Sequence, residues 1–162
     1  MNALMSPCGQ YRYNLTRPAT QMCPMKSSAL FCMLNPSTAD AAVDDPTIRR
    51  CRGFAEDWDC NGLVVVNLYA LRSTSPAGLW THADPVGVLI NDDELSRASI
   101  DHQDIVCAWG SNAREDRVRK VVNTFLRHGA RLWCLGTTKA GAPRHPLYIR
   151  RDQPLVAWVP PA

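Results

Sequence analysis

The sequence is short of lysine, of paired cysteines and of long apolar runs. Three lysines (Lys26, Lys120, Lys139) stand against fifteen arginines, and the net charge is only +3. A charge this small permits a nucleic-acid partner but does not require one. The arginine bias has two readings: a rigid donor fork suited to phosphates and flat rings, or the codon usage of a GC-rich genome. The cysteines at 8, 23, 32, 51, 60, 107 and 134 include no C-x-x-C pair, from which zinc and most iron–sulfur sites are built. Cys32, Cys107 and Cys134 fall inside apolar runs, where cysteine behaves as a small hydrophobe. Reduced structural thiols, a cytoplasmic setting and no metal or other cofactor are expected. No run approaches the ~18 apolar residues of a membrane span. No basic stretch leads into an apolar segment near Met1, so no signal peptide is expected. Also missing are G-x-x-x-x-G-K-[ST], G-x-G-x-x-G, G-x-S-x-G and H-E-x-x-H. Their absence speaks against a P-loop, a dinucleotide site, an ordinary serine hydrolase and a zinc protease.

What is present is a chain of 162 residues, 46% hydrophobic and 20% charged. That suits one globular domain with its own core. Four continuous apolar runs, 28–34, 63–68, 105–109 and 132–135, predict strands covered on both faces. Helices are predicted between them. The first starts at Asp45-Pro46, an N-cap followed by a residue suited to the first helical position. The second runs from about Asn91, as cap, to Ile100. The third runs from Ser111, as cap, to Gly129, with a stripe of Val118, Val121, Val122, Phe125 and Leu126. Alternating strands and helices predict a three-layer α/β/α sandwich with a central, mainly parallel four-stranded sheet. Residues 11–15 and 155–159 are expected as additional edge strands.

Open α/β sheets bind ligands at the carboxyl ends of their strands. Four polar loops follow the four runs: 34–40, 67–73, 109–112 and 136–148. Their convergence on one edge is the expected site. His145 is the histidine placed there, whereas His128 suits a helix C-terminus.

The segments Met33 to Asp40, Asp44 to Cys51 and Val65 to Ala70 resemble a family of small bacterial and phage proteins, domain of unknown function 1643. Tyr11-Arg12-Tyr13 and Asp84-Pro85-Val86-Gly87 extend that resemblance over nearly the whole chain. The order of motifs also resembles the uracil-DNA glycosylase superfamily. Leu34-Asn35-Pro36 follows the first parallel strand, Asn67 ends the next, Trp109-Gly110-Ser111 ends the third, and His145-Pro146-Leu147 comes last. Met33 stands where those enzymes carry glycine, and the serine that follows their His-Pro pair is absent.

The glycosylase resemblance implies base flipping and metal-free hydrolysis of the N-glycosidic bond of uracil or a modified pyrimidine in DNA. It implies that Asn35 orients water, that His145 donates to the departing base, and that Asn67 pairs with the base edge. Asp40, Asp44 or Asp45 is an alternative activator of water. Leu34, Pro36, Ser37, Thr38 and Tyr69 would line the substrate pocket, with Tyr69, Phe54 or Trp58 as the stacking ring. Arg49 and Arg50, at a helix N-terminus, would hold a phosphate. Arg72, Ser73, Ser111, Lys139 and Arg144 would contact the DNA backbone, and Leu147 or Tyr148 would fill the gap left by the base. Two other classes fit the same loops: a non-catalytic binder of modified-base nucleic acid in a phage or anti-phage setting, and an enzyme acting on free nucleotides. No membrane partner is expected, and a monomer is favoured.

Overall fold

In a computed structural model, residues 1–20, 26–88 and 90–161 are described. Seven strands form one mixed sheet in the order β1-β2-β4-β3-β5-β6-β7. The four apolar runs are its centre: β3 (Ala29–Met33), β4 (Leu63–Asn67), β5 (Asp104–Cys107) and β6 (Arg131–Cys134). They pair in parallel, with β3 between β4 and β5. The sheet is larger than its central four strands because both chain ends add to it antiparallel, as expected near residues 11–15 and 155–159, with β1 the unexpected addition. β1 (Asn2–Met5) pairs with β2 (Arg12–Arg17), and β2 pairs with β4. The strand expected near residue 11 is therefore internal, covered on its outer side by β1. At the other edge, β7 (Val156–Ala157) pairs with β6.

Helices cover both faces. On one face α1 (Pro46–Asp57) buries Ile48, Cys51, Phe54 and Ala55. These pack with Phe31, Met33, Leu63, Val65 and Val106. The predicted start of α1 holds: the Asp45 side chain accepts from the Ile48 N–H at 2.8 Å. On the other face lie α2 (Ala77–Thr81), α3 (Ile90–Asp101) and α4 (Glu115–Arg127). They pack Leu79, Leu95, Ala98, Val121, Val122 and Phe125 against Leu30, Cys32, Val66, Ile105 and Cys107.

Three local expectations change. Asn91 is not a cap but lies inside α3, buried, donating from Nδ2 to the carbonyls of Asn67 and Leu68, each at 3.2 Å. The cap position of α4 is Arg114, so Ser111 remains in the preceding loop. Leu126 is half exposed rather than part of the α4 core stripe. Cys32, Cys51, Cys60, Cys107 and Cys134 are free and buried, and Cys8 is free and exposed. Cys23 lies outside the described residues.

The fold positions a site where connections diverge. From β3 the chain passes to α1 on one face, and from the adjacent β5 to α4 on the other. A crevice opens at such a divergence, outside the strands' carboxyl ends.

Candidate functional site

Hydrogen bonds across the strand ends hold the crevice loops together. Leu68 and Tyr69 donate to the carbonyls of Met33 and Leu34, each at 2.9 Å. Ser73 N–H donates to Pro36 O at 2.9 Å, and Asn35 Nδ2 donates to Ser73 O and Pro36 O, each at 2.9 Å. Gly110 has φ of +72°, which turns the β5 loop where an L side chain would be strained. Its N–H donates to Pro143 O at 2.8 Å, which seats the His145 loop beside β5.

These loops enclose a cavity of about 620 Å³, within the size range of small-molecule sites. Leu34, Asn35, Ser37, Thr38, Asp45, Ser73, Ser111, Arg144, His145, Leu147 and Tyr148 all line it. All four predicted loops therefore line one cavity. A neighbouring groove of about 720 Å³ between α4 and the C-terminal segment shares Trp109, Gly110 and Ser111. Its charged groups, Glu115 and Arg119, are paired with each other at 2.7 Å.

Other expected residues are not brought to the cavity, for identifiable reasons. Asp40 caps its own loop, its Oδ1 accepting from the Ala42 and Val43 N–H groups. These bonds hold its carboxyl below the usual carboxylate range. Arg49 donates to Asp44 O, and Arg50 donates to Ile149 O while lying over the Phe54 ring. Arg72 straps three segments, donating to the carbonyls of Ser37, Thr38 and Gly9, each at 3.3 Å. Pro36 is buried, and its carbonyl serves the loop ties just described. Lys139 is exposed outside the cavity lining.

Asn67 is fully buried beside Met33 in the sheet register, and both polar atoms of its amide lack a hydrogen-bond partner. It does not line the cavity. Tyr69 is buried too, its hydroxyl accepting from the Arg114 N–H and its ring packing edge-on against Trp80. Phe54 and Trp58 stack on each other in the α1-side core. The aromatic rings that do line the cavity are those of Trp109, His145 and Tyr148.

Asn35 and His145 carry the clearest chemistry. Both amide hydrogens of Asn35 are committed to loop carbonyls, which leaves Oδ1 as an acceptor of defined orientation. His145 Nδ1 accepts from the Leu147 N–H at 3.3 Å. That bond places the ring proton on Nε2. Burial lowers the imidazole pKa below its ordinary value, against an opposing pull from Asp45. The ring is thus a neutral hydrogen-bond donor at neutral pH.

Sequence reading alone missed Arg12. It sits on β2, is 1% exposed, and lines the cavity. Nη1 donates to Ala39 O at 2.5 Å, whereas Nε is enclosed without any partner. Burial pushes its pKa down to about 10, with Asp45 opposing the shift, so it remains a cation at neutral pH. The one available signal was an arginine between two tyrosines at the start of an expected strand. Among the described residues, no three His, Cys, Asp or Glu side chains gather as a metal-binding group. No helix there is long and apolar enough to cross a membrane.

No curated protein and no solved structure matches the chain, so the comparisons do not support the likeness to uracil-DNA glycosylases. A family model does match, over residues 12–147, from Arg12 on β2 to Leu147 at the cavity mouth. The matched span includes every parallel strand and nearly all of the cavity lining, and on that match the chain belongs to the family described as protein of unknown function, DUF1643.

Proposed function

We propose that the cavity hydrolyses the N-glycosidic bond of uracil or a modified pyrimidine, presented as a base flipped out of DNA or as a free nucleotide. One observation carries this reading: a fixed amide acceptor, Asn35 Oδ1, and a neutral imidazole donor, His145, line the same crevice. The bond to be broken has a dissociative character. The sugar becomes an oxocarbenium cation and the base departs with the bonding electron pair. The His145 Nε2–H then donates to an oxygen of the departing base. A water held by Asn35 Oδ1 adds to the sugar carbon, and its proton ends on the base. No strong nucleophile is required, and an amide suffices to orient water toward a cation. A preorganised donor such as His145 is typically worth ~3 kcal/mol of barrier.

Leu147 and Tyr148 favour the DNA form. They are exposed at the mouth on the single helical turn Pro146–Tyr148, beside Arg144, and so suited to fill a vacated base position. Arg72 and Lys139 favour the free nucleotide. One is consumed by loop carbonyls and the other lies outside the cavity, which leaves few cations to grip a backbone. The test is release of base from single- and double-stranded oligonucleotides bearing uracil, 5-hydroxymethyluracil, hypoxanthine or mismatched thymine, and from the corresponding nucleotides. Release lost in both Asn35→Ala and His145→Ala is the expected result. Release unchanged in both variants would overturn the mechanism. Retention of one oligonucleotide without release would make the protein a binder of modified nucleic acid.

A further inference from the structure

The cavity lining is divided by chemistry. Its aromatic rings come from the β5 loop and the C-terminal loop: Trp109, His145 and Tyr148. Its buried cation comes from β2, beside the first turn of α1 and the β3 loop. In this corner are Arg12, the hydroxyls of Ser37 and Thr47, and the Thr47 N–H, which has no acceptor within its own helix. A twelve-residue helix directs a partial positive charge there. Arg12 is the second, independent feature: 1% exposed, with only Nη1 engaged. An orphaned donor on a buried cation is costly unless something supplies the acceptor.

The charges facing this corner can be named. Arg12 and, at the rim, Arg144 are positive; the Arg144 backbone N–H donates to Gly136 O, and its guanidinium has no hydrogen-bond or ion-pair partner among the described residues. Asp45 is negative, but its Oδ1 is held by the Ile48 N–H. Asp40 is turned to its own loop, and Arg72 is bound to carbonyls. Arg12 and Asp45 offset each other in formal charge, so the corner offers donors and the positive end of α1, with Arg144 at the rim supplying the net positive charge, whereas the β5 and C-terminal loops offer flat rings.

We infer that the corner formed by Arg12, the first turn of α1 and the Ser37 hydroxyl binds a terminal phosphate, so that the ligand is a phosphorylated small molecule. Taking that molecule to be a pyrimidine nucleoside monophosphate rests on the proposed function. In that pose the phosphate reaches the Arg12 corner and the base lies against Trp109, His145 and Tyr148. A phosphate inside a polymer is flanked by chain on both sides and is poorly suited to a cation that is 1% exposed, whereas a nucleotide carries its phosphate at a free end.

The full chain is titrated calorimetrically with inorganic phosphate, deoxyuridine 5′-monophosphate and deoxyuridine. The monophosphate is expected to bind at least about tenfold more tightly than the nucleoside, the scale of a charge-assisted hydrogen bond. Inorganic phosphate is expected to compete with it. Arg12→Gln should remove the phosphate's contribution while nucleoside binding persists, and Arg12→Lys should keep part of it. Equal binding of nucleotide and nucleoside by the unaltered protein overturns the proposal, as does an undiminished preference in Arg12→Gln. If Arg12→Gln does not fold, the Arg12→Lys series and the ratio in the unaltered protein decide. Phosphate-dependent binding without base release would leave this inference standing and remove the hydrolytic one. Base release from oligonucleotides with no phosphate preference would do the reverse.

Discussion

Two buried arginines five residues apart on β2 have opposite surroundings. Arg17 is saturated. Its Nε pairs with Asp44 at 2.6 Å, Nη1 donates to Thr16 O and Asn2 O, and Nη2 donates to Asp40 O and Val43 O. Asp44 is shared with Arg52 at 2.8 Å. Arg12, equally buried, has one acceptor and a cavity beside it. Burial alone does not separate a structural charge from a functional one; the disposition of its donors does. The Arg17 end is a clamp that ties β1, β2 and the loop before α1. The Arg12 end is a socket with donors in reserve.

The contrast is sharpest in stability. Arg17→Met removes one of the two partners of Asp44, which keeps Arg52, and gives up four carbonyl contacts, so a loss of about 2–3 kcal/mol is expected in urea unfolding. Arg12→Met gives up one hydrogen bond, so about 1 kcal/mol or less is expected from the same measurement. Equal losses would break the distinction between clamp and socket.

A smaller effect separates the two ends by pH. Burial raises the Asp44 carboxyl pKa, but hydrogen bonds from Arg52 and Arg17 outweigh it and the net shift is downward. A carboxyl with a depressed folded pKa contributes stability above its unfolded value near ~4, and that contribution is lost as pH falls through the folded value. Stability of the unaltered protein should therefore drop between about pH 5 and 3 by more than that of Arg17→Met. Parallel curves would show that Arg17 does not hold Asp44. At the socket, His145 is depressed by burial and partly restored by Asp45. The acid limb of base release should lie below the ordinary imidazole value of about 6.5. It should move lower still in Asp45→Asn, which keeps a cap on α1. A limb that moves upward in that variant would contradict the assignment.

Much of this site was readable from local pattern. Asn35, Ser37, Ser73, Ser111 and His145 follow apolar runs, and residues that follow parallel strands meet at one edge whatever else the fold does. Asp45-Pro46 announced a helix start through short-range capping chemistry. Tyr69, Asn67, Arg49 and Arg50 were placed by local position too, yet Tyr69 and Asn67 turn into the core, Arg49 onto the carbonyl of Asp44 and Arg50 onto that of the distant Ile149. Which way a strand-end side chain turns depends on what the neighbouring strand and helix present to it, and that is absent from local spacing.

The sequence by itself determined the four parallel strands, the start of α1 and the edge on which the loops converge. Each follows from continuous apolar runs and from capping within a few residues. Only the tertiary structure decided that β1 covers β2 to complete a seven-stranded sheet and that two arginines on β2 have different surroundings. Arg12 meets a carbonyl 27 residues away, and Arg17 meets a carboxylate at the same separation. Contacts over that distance are set by the pairing of β2 with β4 and by the path of the loop before α1, so nothing in the spacing around either arginine announces them.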